Sequence, residues 1–155
     1  MSVKTNALRI LDDAGIEYTC HTYESDGFID GVAVAGKIGK PVEQVFKTLV
    51  ARGKSNAYYV FIVPVAQELD LKLAARAVGE KSVEMIKVTE ITNVTGYVRG
   101  GCSPFGMKKP YRTLIDSSCL LLDTIIVSAG KIGLQVELTP DSLISVTGAS
   151  IVELI

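Results

Sequence analysis

Apolar residues near the start of the chain fall at Val3, Ala7, Leu8, Leu11 and Ala14, the spacing of a single buried helix face. Ser2 stands ahead of them as an N-cap and Gly15 follows where a left-handed C-cap is wanted, so a first helix is predicted. Residues 17–23, EYTCHTY, are β-branched and aromatic with no turn residue, and predict a strand. Alternation puts Thr19, His21 and Tyr23 on one of its faces and Tyr18, Cys20 and Thr22 on the other. Asp26 and Gly27 mark a loop, Asp30 caps a short helix through GVAVAGKI, and Pro41 opens another that ends near Phe46.

Beyond Phe46 the pattern becomes that of a sheet. KTLVA and AYYVFIVPV read as apolar strands joined by RGKSN, whose Gly, Ser and Asn supply hairpin chemistry. In LDLKLAARAV, Leu69, Leu73, Ala77 and Leu71, Ala75, Val78 recur at helical spacing; Asp70 or Glu68 opens that helix and Gly79 closes it. SVEMIKVTEITNVTG is ambiguous between helix and strand. RTLIDSS, DTIIVSAG, LQVELT and ISVTGASIVELI are short apolar runs broken by Asp, Ser and Gly, as sheet strands are. Helices and strands interleave without regular βαβ alternation, so the expected class is α+β around a mainly antiparallel sheet. No linker, repeat or low-complexity tract divides residues 1–155, and a single domain is expected.

Composition narrows the function classes. With 16 Lys+Arg against 17 Asp+Glu the net charge is -1, so an anionic partner must be met by a local patch rather than a global field. Cys20, Cys102 and Cys119 fit neither a disulfide framework nor a zinc site, and read as reduced thiols. Lys4, Arg9, Asp12 and Asp13 interrupt any signal-peptide core, and no apolar run reaches the ~20 residues of a membrane span. The expected setting is cytoplasmic, without a membrane partner.

Familiar catalytic sets are missing. His21 is the one histidine, which leaves a zinc site or a Ser-His-Asp device without support. No metal or cofactor is expected. Cys20 lies beside His21, but neighbours on a strand point to opposite faces, and the plain reading of a strand cysteine is a small core residue.

Two glycine-bearing loops carry more information. In GGCSPFG, residues 100–106, paired glycines let backbone N–H groups approach a ligand and Pro104 stiffens the turn. SAGKIG, residues 128–133, follows TIIV where a hydroxyl and free amides can converge on an anion or carbonyl. Taken alone, the plain reading of each is an ordinary tight turn. Lys47 begins an apolar strand beside Phe46, Leu49 and Val50, and either snorkels or lines a polar pocket. Between Glu90 and Asp116 there is no acidic residue, while Arg99, Lys108, Lys109 and Arg112 give the stretch around the first glycine loop a charge of +4. That is a solvated face or the rim of a phosphate-binding site. Tyr97, Phe105 and Tyr111 either stack on a base or fill the core.

Taken in order, FKTLV, DLKLAARAVGEKSVEMI, GYVRGGCSPFGMKK and DTIIVSAGKIGLQVEL closely resemble the YbaK/EbsC family of free-standing aminoacyl-tRNA deacylases, relatives of the editing domain of bacterial prolyl-tRNA synthetase. The resemblance covers nearly the whole chain and implies a mixed, largely antiparallel sheet curled toward a barrel, flanked by helices, with a pocket at one mouth. It implies a proofreader acting on mischarged tRNA, typically removing cysteine from tRNA(Pro), in some cases docked on prolyl-tRNA synthetase. Lys47 and Thr48 match the family's pocket lysine and threonine, Tyr23 and Phe28 its aromatic wall, Gly100 and Gly101 its amide loop, and Ser128 with Gly130 its S-x-G turn. Lys47, Gly100 and Gly101 are the expected oxyanion stabilisers, and Arg99, Lys108, Lys109 and Arg112 the expected tRNA contacts. Many relatives carry arginine where Ile132 stands, and several carry aspartate where Gln135 stands. The rival readings are a non-catalytic module that binds tRNA or a synthetase, and a deacylase for another small amino acid such as alanine.

Overall fold

Local capping chemistry sets most of the helices. In the computed structural model, which describes residues 4–25 and 30–155, α1 (Asn6–Asp13) starts at Thr5, whose hydroxyl accepts from Leu8 N–H at 3.3 Å. The cap is therefore Thr5, three residues beyond Ser2, which lies outside the described residues along with the expected loop at Asp26 and Gly27. Asp30 opens α2 (Gly31–Ile38) by accepting from Val32 N–H, and Asp70 opens α3 (Leu71–Val78) by accepting from Lys72 and Leu73. Gly39 and Gly79 close them in the left-handed conformation. Pro41 leads into a single tight turn (Val42–Gln44), after which Phe46 already belongs to a strand.

β1 (Thr19–Thr22), β2 (Phe46–Gly53) and β3 (Tyr58–Pro64) lie where periodicity puts them, and β2 pairs with β3 from Phe46↔Pro64 to Arg52↔Tyr58. The ambiguous stretch resolves into β4 (Val83–Met85), a tight turn (Val88–Glu90) and α4 (Ile91–Thr95). β5 (Arg112–Asp116), β6 (Ile125–Lys131) and β7 (Leu134–Leu138) follow. Two expectations fail in this half. SAGKIG does not leave the strand at Ser128: β6 continues to Lys131 with an irregular register between Ser128 and Lys131. ISVTG is not a strand either. Thr139 accepts from Ser142 N–H at 3.1 Å and Pro140 occupies the first turn of α5 (Pro140–Thr147), leaving Ser150–Val152 as β8. Capping and a preset proline φ outweigh the β-propensity of Ile144 and Val146 there.

The strands form a five-stranded sheet ordered β4-β2-β3-β5-β8 and a three-stranded sheet ordered β1-β7-β6. β3–β5 and β5–β8 are parallel and the remaining pairings antiparallel, so the class is α+β with a mixed, largely antiparallel arrangement. A parallel bridge between Val45 and Ile126 joins the two sheets at one corner without closing a barrel. The main core lies between them: Val50, Val60, Ile62 and Ile115 meet Ile125, Val127, Val136 and Leu138, with Leu8, Leu11 and Leu143 from α1 and α5 completing it. The far face of the larger sheet is covered by Ala74, Ala75 and Val78 of α3. No helix among the described residues is long and apolar enough to cross a membrane.

Candidate active site

A cleft of about 730 Å³ opens beside the corner where the sheets meet. It wraps the start of β2, so residues from both faces of that strand border it: Phe46 and Thr48 from one, Lys47 and Leu49 from the other. Across from them stand Ser128 of β6 and Gln135 of β7, paired in register. Arg99, Gly100 and Cys102 form a third wall, and Tyr23 with the start of α2 at Asp30 and Gly31 forms a fourth. Five segments distant in sequence thus converge on a single concavity.

Two hydrogen-bonding clusters hold these walls. Glu137 accepts from Thr124 (2.6 Å) and Gln44 (3.2 Å), pairs with His21 Nε2 at 2.7 Å and faces Lys40 at 3.5 Å. It thereby ties the connection between α2 and β2 onto the small sheet. Burial pushes the Glu137 carboxyl up, yet the hydrogen bonds from Thr124 and His21, with Lys40 nearby, outweigh burial and hold it below the usual value. On the opposite side Arg52 pairs with Glu90 and stacks over Tyr58, anchoring the turn that leads to Ile91 on the cleft.

The chemistry available inside is specific. Thr48 Oγ1 and Gln135 Oε1 are buried and have no hydrogen-bond partner among the described residues, an arrangement that costs stability unless something binds there. Lys47 and Arg99 border the same space and form no ion pair among the described residues. Ser128 Oγ accepts from Gly130 N–H at 3.2 Å, leaving its own proton to give. Neither candidate nucleophile is activated. The sole imidazole is committed to Glu137 and lies off the cleft, and burial pushes the Cys102 thiol up to about 11, so it stays protonated.

Residues 30–146 match the family described as Aminoacyl-tRNA editing domain. The chain belongs to this family. It is 40% identical, over 97% of its length and 93% of the relative's, to an Enterococcus faecalis protein named "Putative Cys-tRNA(Pro)/Cys-tRNA(Cys) deacylase EbsC". Among solved structures it is similar to a "putative trans-editing enzyme for prolyl tRNA synthetase" (TM-score 0.83, 26% identity, 99% of this chain and 98% of that one). The hypothetical protein APE2540 shares the fold at TM-score 0.88 and 18% identity, over 97% and 99% of the two chains.

In this editing domain Lys47, Thr48, Tyr23, Ser128, Gly100 and Arg99 come together on the cleft, while other expected residues do not. Phe28 lies outside the described residues. Gly101 is buried and spends its N–H on Val98 O at 3.0 Å, so it is not a free amide donor. A Cβ there would come within 3.0 to 3.1 Å of the backbone of Lys131 and Ile132, which makes Gly101 the point where the two glycine loops touch. Gly100 N–H, by contrast, has no partner among the described residues. Gly130 sits behind the cleft against Tyr97, Thr5 and Ala7. Cys20 is exposed on β1 rather than in the core, because β1 is an edge strand.

The expected basic rim is also divided. Lys108 and Lys109 border a separate depression, and Arg112 turns to the opposite face of β5, where it donates to Ala77 O on α3. Phe105 fills the core, Tyr97 donates to Phe105 O, and Tyr111 donates to Val94 O, so these aromatics fix the loop. Gln135 is the residue missed as a site member. A polar side chain inside the apolar run LQVEL was its signal, but the pairing with Ser128 belongs to long-range register.

Proposed function

We propose that the chain is a trans-acting aminoacyl-tRNA deacylase that removes cysteine from mischarged tRNA(Pro), with Cys-tRNA(Cys) as a second substrate. The observation that carries this reading is a cleft with unpartnered polar groups and no activated protein nucleophile. Such a site can orient an ester and stabilise charge, but it must take its nucleophile from elsewhere. A cysteinyl ester brings one. Its thiol sulfur attacks the ester carbonyl carbon, the carbonyl–ribose oxygen bond breaks, and the thiol proton ends on the ribose oxygen; the amino acid leaves as a thiolactone. Lys47 and the N–H of Gly100 stabilise the developing oxyanion. The oxygens of Thr48 and Gln135 accept from the substrate's ammonium group, and Ser128 holds the terminal ribose. Tyr23 closes the pocket.

The name of the E. faecalis relative supports cysteine as the amino acid, and the solved structural neighbour supports action beside prolyl-tRNA synthetase. The test is to incubate the protein with radiolabelled Cys-tRNA(Pro), Cys-tRNA(Cys), Ala-tRNA(Pro) and Pro-tRNA(Pro), with and without prolyl-tRNA synthetase. Rapid loss of both cysteinyl esters, with Pro-tRNA(Pro) spared, is expected. Preferential loss of the alanyl ester would assign water as the nucleophile and a different amino acid. Persistence of every ester at the uncatalysed rate would leave a tRNA-binding module.

A further inference from the structure

The segment 99–111 has two sides. Arg99, Gly100 and Cys102 face the cleft, whereas Pro104 to Tyr111 wall a second depression of about 320 Å³ whose opposite side is Ile10 of α1 with Val146 and Thr147 of α5. That volume is near the lower end of the ~300–1,000 Å³ usual for small-molecule sites.

Its chemistry is two-part. Ile10, Met107 and Val146 are half-buried side chains that make an apolar surface, and Tyr111 adds an aromatic ring. At the lip stand the exposed Lys108 and Lys109, neither ion-paired among the described residues, and no acidic residue borders the depression. The loop is held in place before anything binds. Lys108 N–H donates to Thr95 O at 3.1 Å, Tyr111 OH to Val94 O at 2.6 Å, and Tyr97 OH to Phe105 O. The Lys108 stem lies along Gly96, 3.4 Å from where a Cβ would stand. An apolar bed on a held loop, with cations at its edge, suits a group that is flat and apolar at one end and anionic at the other. One unpaired nucleotide has that form, and single-stranded RNA is recognised in this way, by base stacking beside phosphate contacts.

We propose that this depression holds one unpaired nucleotide of the substrate tRNA's 3′ strand, upstream of the aminoacylated ribose in the cleft, with its base against Met107, Val146 and Tyr111 and its phosphate between Lys108 and Lys109. The proposal rests on the deacylase reading. The shared segment then sets the spacing between ester and nucleotide, so tRNA is measured by the same loop that supplies Gly100 to the ester.

The experiment uses two substrates, full-length Cys-tRNA(Pro) and the cysteinyl ester of adenosine, which ends before the depression. Lys108→Ala/Lys109→Ala is expected to raise KM for the tRNA roughly tenfold more than KM for the short ester. Lys54→Ala/Lys81→Ala, exposed and remote in sequence, should leave both constants unchanged. Abasic nucleotides placed singly along the unpaired 3′ strand should raise the wild-type KM at one position, and that penalty should vanish in Val146→Glu, where the bed is already spoiled. Should Val146→Glu fail to fold, the lysine pair carries the test alone. Equal KM changes on the two substrates, or wild-type indifference to every abasic position, would overturn the proposal. Failure of the wild-type protein on both substrates would overturn the deacylase reading itself.

Discussion

Ser128 and Gln135 face each other across the β6–β7 ladder at the last regular pair before its irregularity, and no hydrogen bond joins their side chains among the described residues. Gln135 is only 6% exposed, yet its side-chain amide oxygen Oε1 is unpartnered among the described residues. A buried polar group left unsatisfied costs about 1–3 kcal/mol. Gln135→Leu should therefore stabilise the free protein by about 1 kcal/mol in a denaturant melt while raising KM for the cysteinyl ester. A destabilised Leu variant with unchanged KM would show that the side chain serves packing instead.

Lys47 tests the oxyanion assignment. Lys47→Met keeps most of the stem and removes the ammonium, so folding should survive while kcat/KM falls by at least ~10²-fold, the usual cost of losing such a donor. Wild-type turnover in the folded variant would remove Lys47 from the mechanism.

The pH dependence separates the substrate's thiol from the protein's. Cys102 is held protonated up to about 11 by burial, whereas a free cysteine thiol ionises near ~8.5. Deacylation of the cysteinyl ester should accelerate as pH rises toward that free-thiol value, and Cys102→Ala should show a profile of the same shape. A pH dependence that disappears in Cys102→Ala would identify Cys102 as the nucleophile and refute substrate-assisted cyclisation.

Glu137 gives an acid-stability prediction with a definite sign. Its carboxyl is held below the ordinary value in the fold, so its contribution is present above the unfolded-state pKa of ~4.3 and is lost as pH falls through the lower folded value. Glu137→Gln should be less stable than wild type at neutral pH, and the gap should narrow on acidification below pH ~4. Urea melts across that range measure it; a gap that stays constant would mean that the charge is irrelevant.

Much of the framework is legible because its signals are local. Asp30 opens α2, and Asp70 and Gly79 bound α3, where the sequence reading puts them, and the β2–β3 hairpin falls at RGKSN. α5 is the exception: Ile144 and Val146 have strand-like residue types, but the Thr139 cap and Pro140 impose a helix on them. The site was legible as residue types, Lys47 and Thr48 above all. The placement of Gln135, the exposure of Cys20 at a sheet edge and the reversed face of Arg112 depend on which strands become neighbours and which lie at an edge, and no local pattern carries that information.

The contact between Gly101 and the backbone of Lys131 and Ile132 sets a limit on how this cleft can change. Because backbone meets backbone, no rotamer change can relieve an added methyl group, and Gly101→Ala would require the wall carrying Gly100 and the wall carrying Ser128 to give by a few tenths of an ångström. The gap between those walls behaves as a fixed gauge. Selectivity for a larger or smaller amino acid must then be retuned by exchanging side chains that border the space, such as Leu49, Ile91 or Gln135, at constant width.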